Sequence, residues 1–176
     1  MGIVTAVQRL RHMAFVVFVV PCVFGPIGAR SAEPDPYAPL KLYDGQWLMT
    51  TSDGKSVALA NHCARTGLFF ACEQVVDGRP ADLVVFLPQA RTAAAGQTYR
   101  TQALMADGAG VHSWHTLIID GDRWTYLGDE PTPGAGVRDR TLNTFAGSDH
   151  IHFETQTSAD GKTWTTTSGG DERRTR

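Results

Sequence analysis

The sequence lacks the short motifs by which many enzymes are recognised. It contains no Gly-x-Ser-x-Gly, no His-Glu-x-x-His and no glycine-rich phosphate-binding loop, the patterns that hold a nucleophile, a metal or a phosphate. A Cys-x-x-Cys pair, which a redox or zinc site would typically show, is also missing. No catalytic residue, metal site or cofactor is therefore predicted from a motif.

Acidic residues are absent from the first 32 positions, which have the layout of a secretory signal peptide. Two arginines, Arg9 and Arg11, precede an unbroken apolar run at 13–20, and small residues follow the run. The run is shorter than the roughly 20 residues of a transmembrane helix. We expect cleavage after Ser31 or Ala32, a periplasmic or secreted location, and no membrane insertion after cleavage. An uncleaved anchor and a lipoprotein anchored at Cys22 are the alternatives.

Basic charge is scarce once the signal peptide is removed. Loss of Arg9, Arg11 and Arg30 changes the formal net charge from −2 to −5. About 145 residues remain, which is enough for one domain with a buried core. Nucleic-acid binding requires a basic face, so we expect no nucleic-acid partner.

Helical periodicity of useful length is missing from the rest of the chain, and runs of β-branched and aromatic residues take its place. Five Asp-Gly pairs separate many of these runs: Asp53-Gly54, Asp77-Gly78, Asp107-Gly108, Asp120-Gly121 and Asp160-Gly161. Asp-Gly favours tight type I′ hairpin turns, because both central residues of the turn need a positive φ. The pattern predicts ten strands, at 46–52, 56–64, 68–76, 81–87, 98–105, 113–119, 123–127, 138–145, 150–157 and 163–168.

Ten antiparallel strands in chain order most simply close into an all-β, up-and-down barrel, which removes exposed strand edges. We assign 43–172 to this barrel, 33–42 to an extended proline-rich linker with no place in the core, and 173–176 to a basic tail. A barrel of this size has room for one small ligand. A Greek-key sandwich is the alternative, because strand pairing across the long connections at 88–97 and 128–136 is not fixed.

Cysteine is rare, with three in the chain and two after the predicted cleavage. An isolated pair in an oxidising compartment is expected to form a disulfide, here between Cys63 and Cys72. Thr66-Gly67 is the expected turn between them, so the disulfide would bridge the two strands of one hairpin. We expect this pair to have a structural role.

Gly45-Gln46-Trp47 opens the first predicted strand. This triplet resembles the Gly-x-Trp signature at the start of lipocalin-like (calycin) barrels, and 160–165 resembles the final hairpin of small secreted bacterial members of unassigned function. The resemblance implies that Trp47 plugs the closed end and that Arg173 or Arg174 packs across its ring. It also implies binding of a small apolar or amphipathic molecule, although the superfamily contains structural and enzymatic members too.

Ligand-lining residues are expected among the large aromatic side chains: Phe70, Phe86, Tyr99, Trp114, Trp124 and Tyr126. One polar anchor is expected among three charged residues: Glu73, Arg138 and Arg140. Arg138 and Arg140 share a face of their strand, and an inward pair would suit a carboxylate ligand such as a fatty acid. Alternation places Glu73 with Phe69 and Ala71. If that face is inward, Glu73 is a buried carboxylate, and otherwise it lies in solvent.

His150, His152 and Glu154 are two residues apart on one predicted strand and so share a face, an arrangement that would suit zinc. The intervening Ile151 and Phe153 supply the buried side of the strand. We therefore expect the histidine face to meet water and to bind no metal.

Two other functions remain open. A barrel enzyme, either an isomerase or a hydrolase, would need a histidine and a carboxylate inside, such as His115 with Glu73. A cell-envelope interaction module would meet its partner through the loop at 128–136 or through the segment at 83–87, which is apolar on both faces.

Overall fold

The computed structural model describes residues 35–89, 96–107, 115–128 and 136–176, and the predicted signal peptide lies outside these ranges. The described chain forms a short 3₁₀ helix, η1, and ten strands, β1 to β10. In chain order the elements are η1 Pro39–Tyr43, β1 Gly45–Thr51, β2 Ser56–Thr66, β3 Phe69–Val76, β4 Arg79–Pro88, β5 Gln97–Met105, β6 His115–Asp120, β7 Arg123–Gly128, β8 Arg138–Phe145, β9 His150–Ser158 and β10 Thr165–Arg174. Within the described ranges, no helix has the length and apolar character needed to cross a bilayer.

The ten strands form one closed antiparallel barrel. Each strand pairs with its neighbours in the chain, and β1 pairs with β10 to close the sheet. β4 pairs with β5 and β7 pairs with β8, so the two long connections do not interrupt this order. The predicted all-β, up-and-down barrel is confirmed, and the Greek-key sandwich alternative is wrong.

Gly108 lies outside the described residues, and the other four Asp-Gly pairs lie at connections between strands, as predicted, but differ in backbone conformation. Asp77 and Gly78 both have a positive φ, of 48° and 76°, and they form the two-residue turn between β3 and β4. At the β6–β7 turn, Asp120 still pairs with Arg123, and Gly121 takes a φ of 60°. Among the described residues, Asp77 is the single non-glycine residue with a positive φ. The type I′ prediction is therefore wrong for the β6–β7 turn.

Alternation along each strand points every second side chain into the barrel, where the apolar ones form the core. The largest fully buried side chains are Trp47, Trp124, Tyr37, Tyr99, Phe70, Phe86, Leu40, Leu117 and Ile151. β4 illustrates the pattern, since Phe86 is buried whereas Leu83 is 37% exposed. Its segment at 83–87 thus has one inner and one outer apolar face, as its sequence predicts.

The segment that precedes β1 belongs to the core. Leu40 is 0% exposed and Tyr37 is 2% exposed. The Tyr37 ring stacks on Phe70, with 5.5 Å between the ring centroids, and its hydroxyl donates a hydrogen bond to the Leu68 carbonyl. The prediction of an extended linker at 33–42, with no place in the core, is therefore wrong where the structure describes it.

Proline has a different role here from the one that composition indicates. Pro39 occupies the start of η1, where the missing N–H costs little because the first N–H groups of a helix have no intrahelical partner. The proline-rich segment thus forms a helical turn that carries apolar side chains into one end of the barrel. We call residues 35–43 the plug.

A cation–π contact closes the same end of the barrel. The Arg174 guanidinium lies 4.2 Å from the centroid of the Trp47 ring. The same guanidinium donates hydrogen bonds to three backbone carbonyls, those of Leu42, Asp44 and Ser148. Trp47 and Arg174 are partners in the β1–β10 register, so both side chains face inward.

Because β10 continues to Arg174, the predicted tail at 173–176 is wrong at its start, and Arg173 is exposed on the outer face.

Gly45 explains why the triplet begins with glycine. Its φ is +124°, a backbone conformation that residues with a side chain rarely adopt. A Cβ atom at this position would also collide with the Arg174 guanidinium and the Arg176 carbonyl. The Trp47 indole N–H donates to the Tyr43 carbonyl at 3.0 Å. The Gly-x-Trp triplet and the distant arginine therefore form one structural unit.

Cys63 and Cys72 form the predicted disulfide. The two residues are directly opposite each other in the β2–β3 register, so the bond links the two strands of one hairpin. Cys72 is buried, and both cysteines pack with the core. The predicted pairing is confirmed.

Leu40→Ala should lower the free energy of unfolding by about 2–5 kcal/mol, the usual cost of truncating a large buried side chain. Leu48→Ala is the matched control, because Leu48 is 44% exposed on the outer face of β1. This control should change the free energy of unfolding by less than about 0.5 kcal/mol. Urea denaturation measures both, and equal effects would show that the plug contributes nothing to the core.

Arg174→Lys should lower the free energy of unfolding by about 2 kcal/mol, because lysine keeps the charge but loses the planar fork that bonds several carbonyls at once. The same substitution at Arg173, on the outer face, is the control and should be nearly neutral. Thermal and urea denaturation measure the difference. Two neutral substitutions would contradict the closing role assigned to Arg174.

Candidate functional site

A cavity of about 170 Å³ lies inside the barrel and is partly open to solvent. Its lining comes from η1 and from the inner faces of six strands. The lining residues combine apolar and hydrogen-bonding side chains: Tyr43, Asn61, Cys72, Gln74, Asp82, Val84, Phe86, Tyr126, Asn143 and Glu172. A small mixed-polarity space therefore remains beside the filled, plugged end of the barrel.

Two tyrosines bring hydroxyl groups to this cavity, Tyr43 from η1 and Tyr126 from β7. The two hydroxyls lie close enough for each to affect the pKa of the other, and Nδ2 of Asn143 donates to the Tyr43 hydroxyl. Burial raises the pKa of both phenols, so both stay protonated at physiological pH. They present hydroxyl dipoles to the cavity rather than negative charges.

Glu172 brings a carboxyl group into the same cavity. It lies on the inner face of β10, opposite Met49 on β1 and Ile151 on β9, so its strand neighbours are not charged. Burial raises the pKa of Glu172 to about 7. In the part of the chain that the structure describes, no side chain forms a hydrogen bond or an ion pair with this carboxyl. Near neutral pH it is therefore present in both protonation states.

Asp82, from β4, is the second carboxyl group that lines the cavity. After the larger effects of burial and of Tyr43, its negative charge also helps to raise the pKa of Tyr126. Of the described lining residues, two carry a carboxyl group and none carries a cationic group. When Glu172 is ionised, it places a negative charge in this cavity.

Two of the aromatic residues predicted to line a ligand site do line the cavity. Phe86 supplies part of the apolar wall next to Val84, and Tyr126 supplies a ring and a hydroxyl. Trp114, which was predicted with them, lies outside the described residues.

Three others are buried against the plug. Phe70 and Tyr99 have ring centroids 5.5 Å and 6.4 Å from that of Tyr37. Trp124 meets the Tyr43 ring edge to face at 5.0 Å. These three rings are core residues of the closed end and are not among the residues that line the cavity.

The predicted inward polar anchors all lie on the outer face. Glu73 is exposed on β3, and Arg138 is exposed at the start of β8. Arg140 lies over the Trp164 ring at 4.1 Å from its centroid, and its Nε donates to Gln156 at 2.7 Å. The prediction of an interior anchor at these positions, and of an arginine pair suited to a fatty acid, is therefore wrong.

Sequence reasoning misses the two carboxyl groups that do face inward. Glu172 follows two glycines in a charged stretch, a composition typical of a tail. The strand register shows that Glu172 faces inward. Arg174 is opposite the buried Trp47, and side chains two residues apart on a strand share a face. Asp82 is found in the same way, by extending the inward alternation of β4 backwards from Phe86.

The histidine face of β9 points outward, as predicted. Nε2 of His150 is 2.8 Å, and Nδ1 of His152 is 3.3 Å, from the same oxygen of Asp171. Glu154 is 3.8 Å from His152. The hydrogen bonds from His150 and His152 lower the pKa of Asp171. Within the described ranges, no three potential metal ligands converge on one point.

His115 lies on β6 opposite Thr101, which is buried, so it belongs to the inner face. Its Nε2 is 3.5 Å from a carboxylate oxygen of Asp139. The predicted catalytic partner, Glu73, lies on the outer face of β3. The predicted His115–Glu73 pair is therefore wrong.

No protein-family model matches the chain, and no curated protein matches it significantly. The features compatible with a lipocalin-like barrel are the closed antiparallel architecture and the unit formed by Gly45, Trp47 and Arg174. The chemistry of the site has to be inferred from its geometry.

Glu172→Gln should change the way in which stability depends on pH. The pKa of Glu172 is about 7 in the folded protein and 4.5 without burial. Between pH 4.5 and pH 7 the carboxyl therefore binds a proton more strongly in the folded protein than in the unfolded one. The free energy of unfolding of the wild type should therefore fall as pH rises through this range, by at most about 3 kcal/mol. Glutamine buries no charge, so the variant should be the more stable protein at pH 8.5 and should resemble the wild type at pH 4.5.

Urea denaturation at these two pH values measures the effect. Glu73→Gln is the matched control, because Glu73 is exposed on the outer face, and it should follow the wild type at both pH values. A difference between Glu172→Gln and the wild type that is the same at both pH values would show that Glu172 does not titrate near neutrality.

Proposed function

We propose that this protein is a lipocalin-like barrel of the periplasm or the extracellular space that binds one small amphipathic molecule in its interior. The observation that carries the proposal is the cavity of about 170 Å³ inside the closed barrel. An apolar cavity of about 150 Å³ engineered into another protein holds benzene. A single ring with a short polar substituent is therefore the expected size of ligand.

The lining supports an amphipathic ligand. Val84 and Phe86 on β4 supply an apolar wall, and Tyr126, Asn143 and Glu172 supply hydrogen-bonding groups. Small-molecule sites are typically apolar pockets with a few polar groups that fix the ligand's orientation. The same combination in this cavity favours a ligand with one apolar and one polar end.

The proposed compartment is supported by two independent features. The first 32 residues have the pattern of a signal peptide, and Cys63 is bonded to Cys72. Disulfides persist in oxidising compartments and are rare in the cytosol. The mass of the protein recovered from a periplasmic extract tests this part of the proposal, because cleavage after Ser31 or Ala32 fixes the expected value.

The lipocalin-like assignment is supported by the closed end. Trp47 and Arg174 make the contact that the resemblance implies, at 4.2 Å from the ring centroid, and Gly45 gives the guanidinium its space. None of these three residues lines the cavity, so the unit supports the architecture and leaves ligand identity to the lining residues.

Val84→Phe should lower the affinity for a neutral probe, benzyl alcohol, by about tenfold or more, because the larger ring occupies the cavity. Val85→Phe is the matched control. Val85 neighbours Val84 on β4 but points outward, opposite Ala71, so the probe's affinity should stay within about twofold of the wild-type value. NMR titration of the processed protein measures the affinities and locates the shifted residues.

Native mass spectrometry of the protein purified from its own compartment gives a second test. A reproducible extra mass that is lost on denaturation would identify a bound molecule of the proposed size. Benzyl alcohol shifts confined to the outer face, or equal affinities in the two valine variants, would contradict an interior site.

A further inference from the structure

We propose that the ligand of this cavity is a small amphipathic cation, a primary amine attached to an apolar group, whose ammonium is held by the Glu172 carboxylate. This inference rests on the proposed function and names its ligand class. The cavity wall formed by Val84 and Phe86 takes the apolar end, and the polar end meets Glu172 near the two tyrosine hydroxyls.

The charge of the lining selects the sign of the ligand. Asp82 and Glu172 both line the cavity, and none of its described lining residues is cationic. An anionic ligand would meet like charge in a partly desolvated space, where the repulsion is weakly screened. A neutral ligand leaves the Glu172 carboxylate without an opposite charge. A cation is the ligand class that offsets the cost of burying that carboxylate.

The hydrogen-bonding groups favour an ammonium in particular. An ammonium has three N–H donors and accepts no hydrogen bond, so it needs several acceptors close together. The Glu172 carboxylate and the hydroxyl oxygens of Tyr43 and Tyr126 are acceptors on one cavity. Both hydroxyls stay protonated because burial raises the pKa of each phenol, so the Glu172 carboxylate supplies the negative charge.

The groups around Glu172 determine how its charge responds to pH. Tyr43 on η1 and Tyr126 on β7 face it as neutral phenols, and Asp82 on β4 lines the same cavity. Its strand partners on β1 and β9, Met49 and Ile151, are not ionisable.

Two other inward ionisable side chains, those of Arg174 and His115, are already engaged. Arg174, two residues along the same strand, directs its guanidinium to Trp47 and to backbone carbonyls at the closed end. His115 is 3.5 Å from Asp139 on the inner face. Among the described residues, none of these groups forms an ion pair with Glu172.

The affinity for an amine should therefore rise with pH. Burial raises the pKa of Glu172 to about 7, so most of the carboxyl is protonated at pH 5.5 and most is ionised at pH 8. If the ammonium binds only the ionised form, its dissociation constant should fall about 30-fold between these two pH values. An alkyl amine, like that of lysine, stays largely protonated across this range.

The experiment compares three probes of similar size, benzylamine, benzyl alcohol and benzoate, by NMR titration of the processed protein at pH 5.5 and pH 8. We expect benzylamine to bind about tenfold tighter than benzyl alcohol at pH 8, and benzoate to bind weakest. Benzylamine should show the rise in affinity with pH, and benzyl alcohol should show little change.

Two variants test the role of Glu172. Glu172→Gln should reduce the affinity for benzylamine at pH 8 to that for benzyl alcohol and should remove its pH dependence. The NMR spectrum of the variant without a probe, compared with that of the wild type, would show that the variant is folded. Glu73→Gln, on the outer face, should bind all three probes as the wild type does.

The outcomes separate this inference from the proposed function. If benzyl alcohol binds inside the barrel but benzylamine binds no tighter at pH 8, the cation is wrong and interior binding stands. If benzylamine binds tightly but Glu172→Gln leaves its affinity and pH dependence unchanged, the assignment to Glu172 is overturned. If no probe produces shifts at the cavity residues, the proposed function and this inference both fail.

Discussion

The contact between Arg174 and Trp47 is the interaction on which the rest of the structure depends. One guanidinium joins the last strand to the first, covers the indole at 4.2 Å, and holds the plug through the Leu42 and Asp44 carbonyls. Gly45 is required beside it because a Cβ atom would occupy the space of the guanidinium. The position of the Arg174 guanidinium therefore links three features: the closure of the sheet, the docking of the plug and the backbone conformation at the start of β1.

The plug also determines what kind of interior the barrel retains. Tyr37 and Leu40 fill the closed end with apolar groups and pack on the rings of Phe70 and Tyr99. The cavity described above is small and is lined by amide, hydroxyl and carboxyl groups as well as apolar ones. Glu172 lines this cavity, and the size and charge of the cavity are the basis on which we propose a compact, polar-headed ligand.

The sequence predicts all ten strands and their order because alternation and turn residues are local signals. It does not predict which face of β3 points inward, since Phe69 and Ala71 on one face are as apolar as Phe70 and Cys72 on the other. The sequence therefore leaves open whether Glu73 points inward or outward, and the structure places it on the outer face. The plug and the end of β10 are missed for another reason. Their compositions indicate a linker and a tail, whereas contacts with distant strands impose their structure. Gly170, for example, lies so close to Thr50 and Phe153 that only a glycine fits.

The length of chain between the two ends of the closing contact has a consequence for biosynthesis. Arg174 and the Leu42 carbonyl are 132 residues apart, so the barrel cannot close until almost the whole domain has been made. Until then β1 and β9 present unpaired edges, which are liable to pair with other chains. Cys63 and Cys72 are only 9 residues apart, so their disulfide can form before the sheet closes. The disulfide would then hold β2 and β3 together in the partly folded chain.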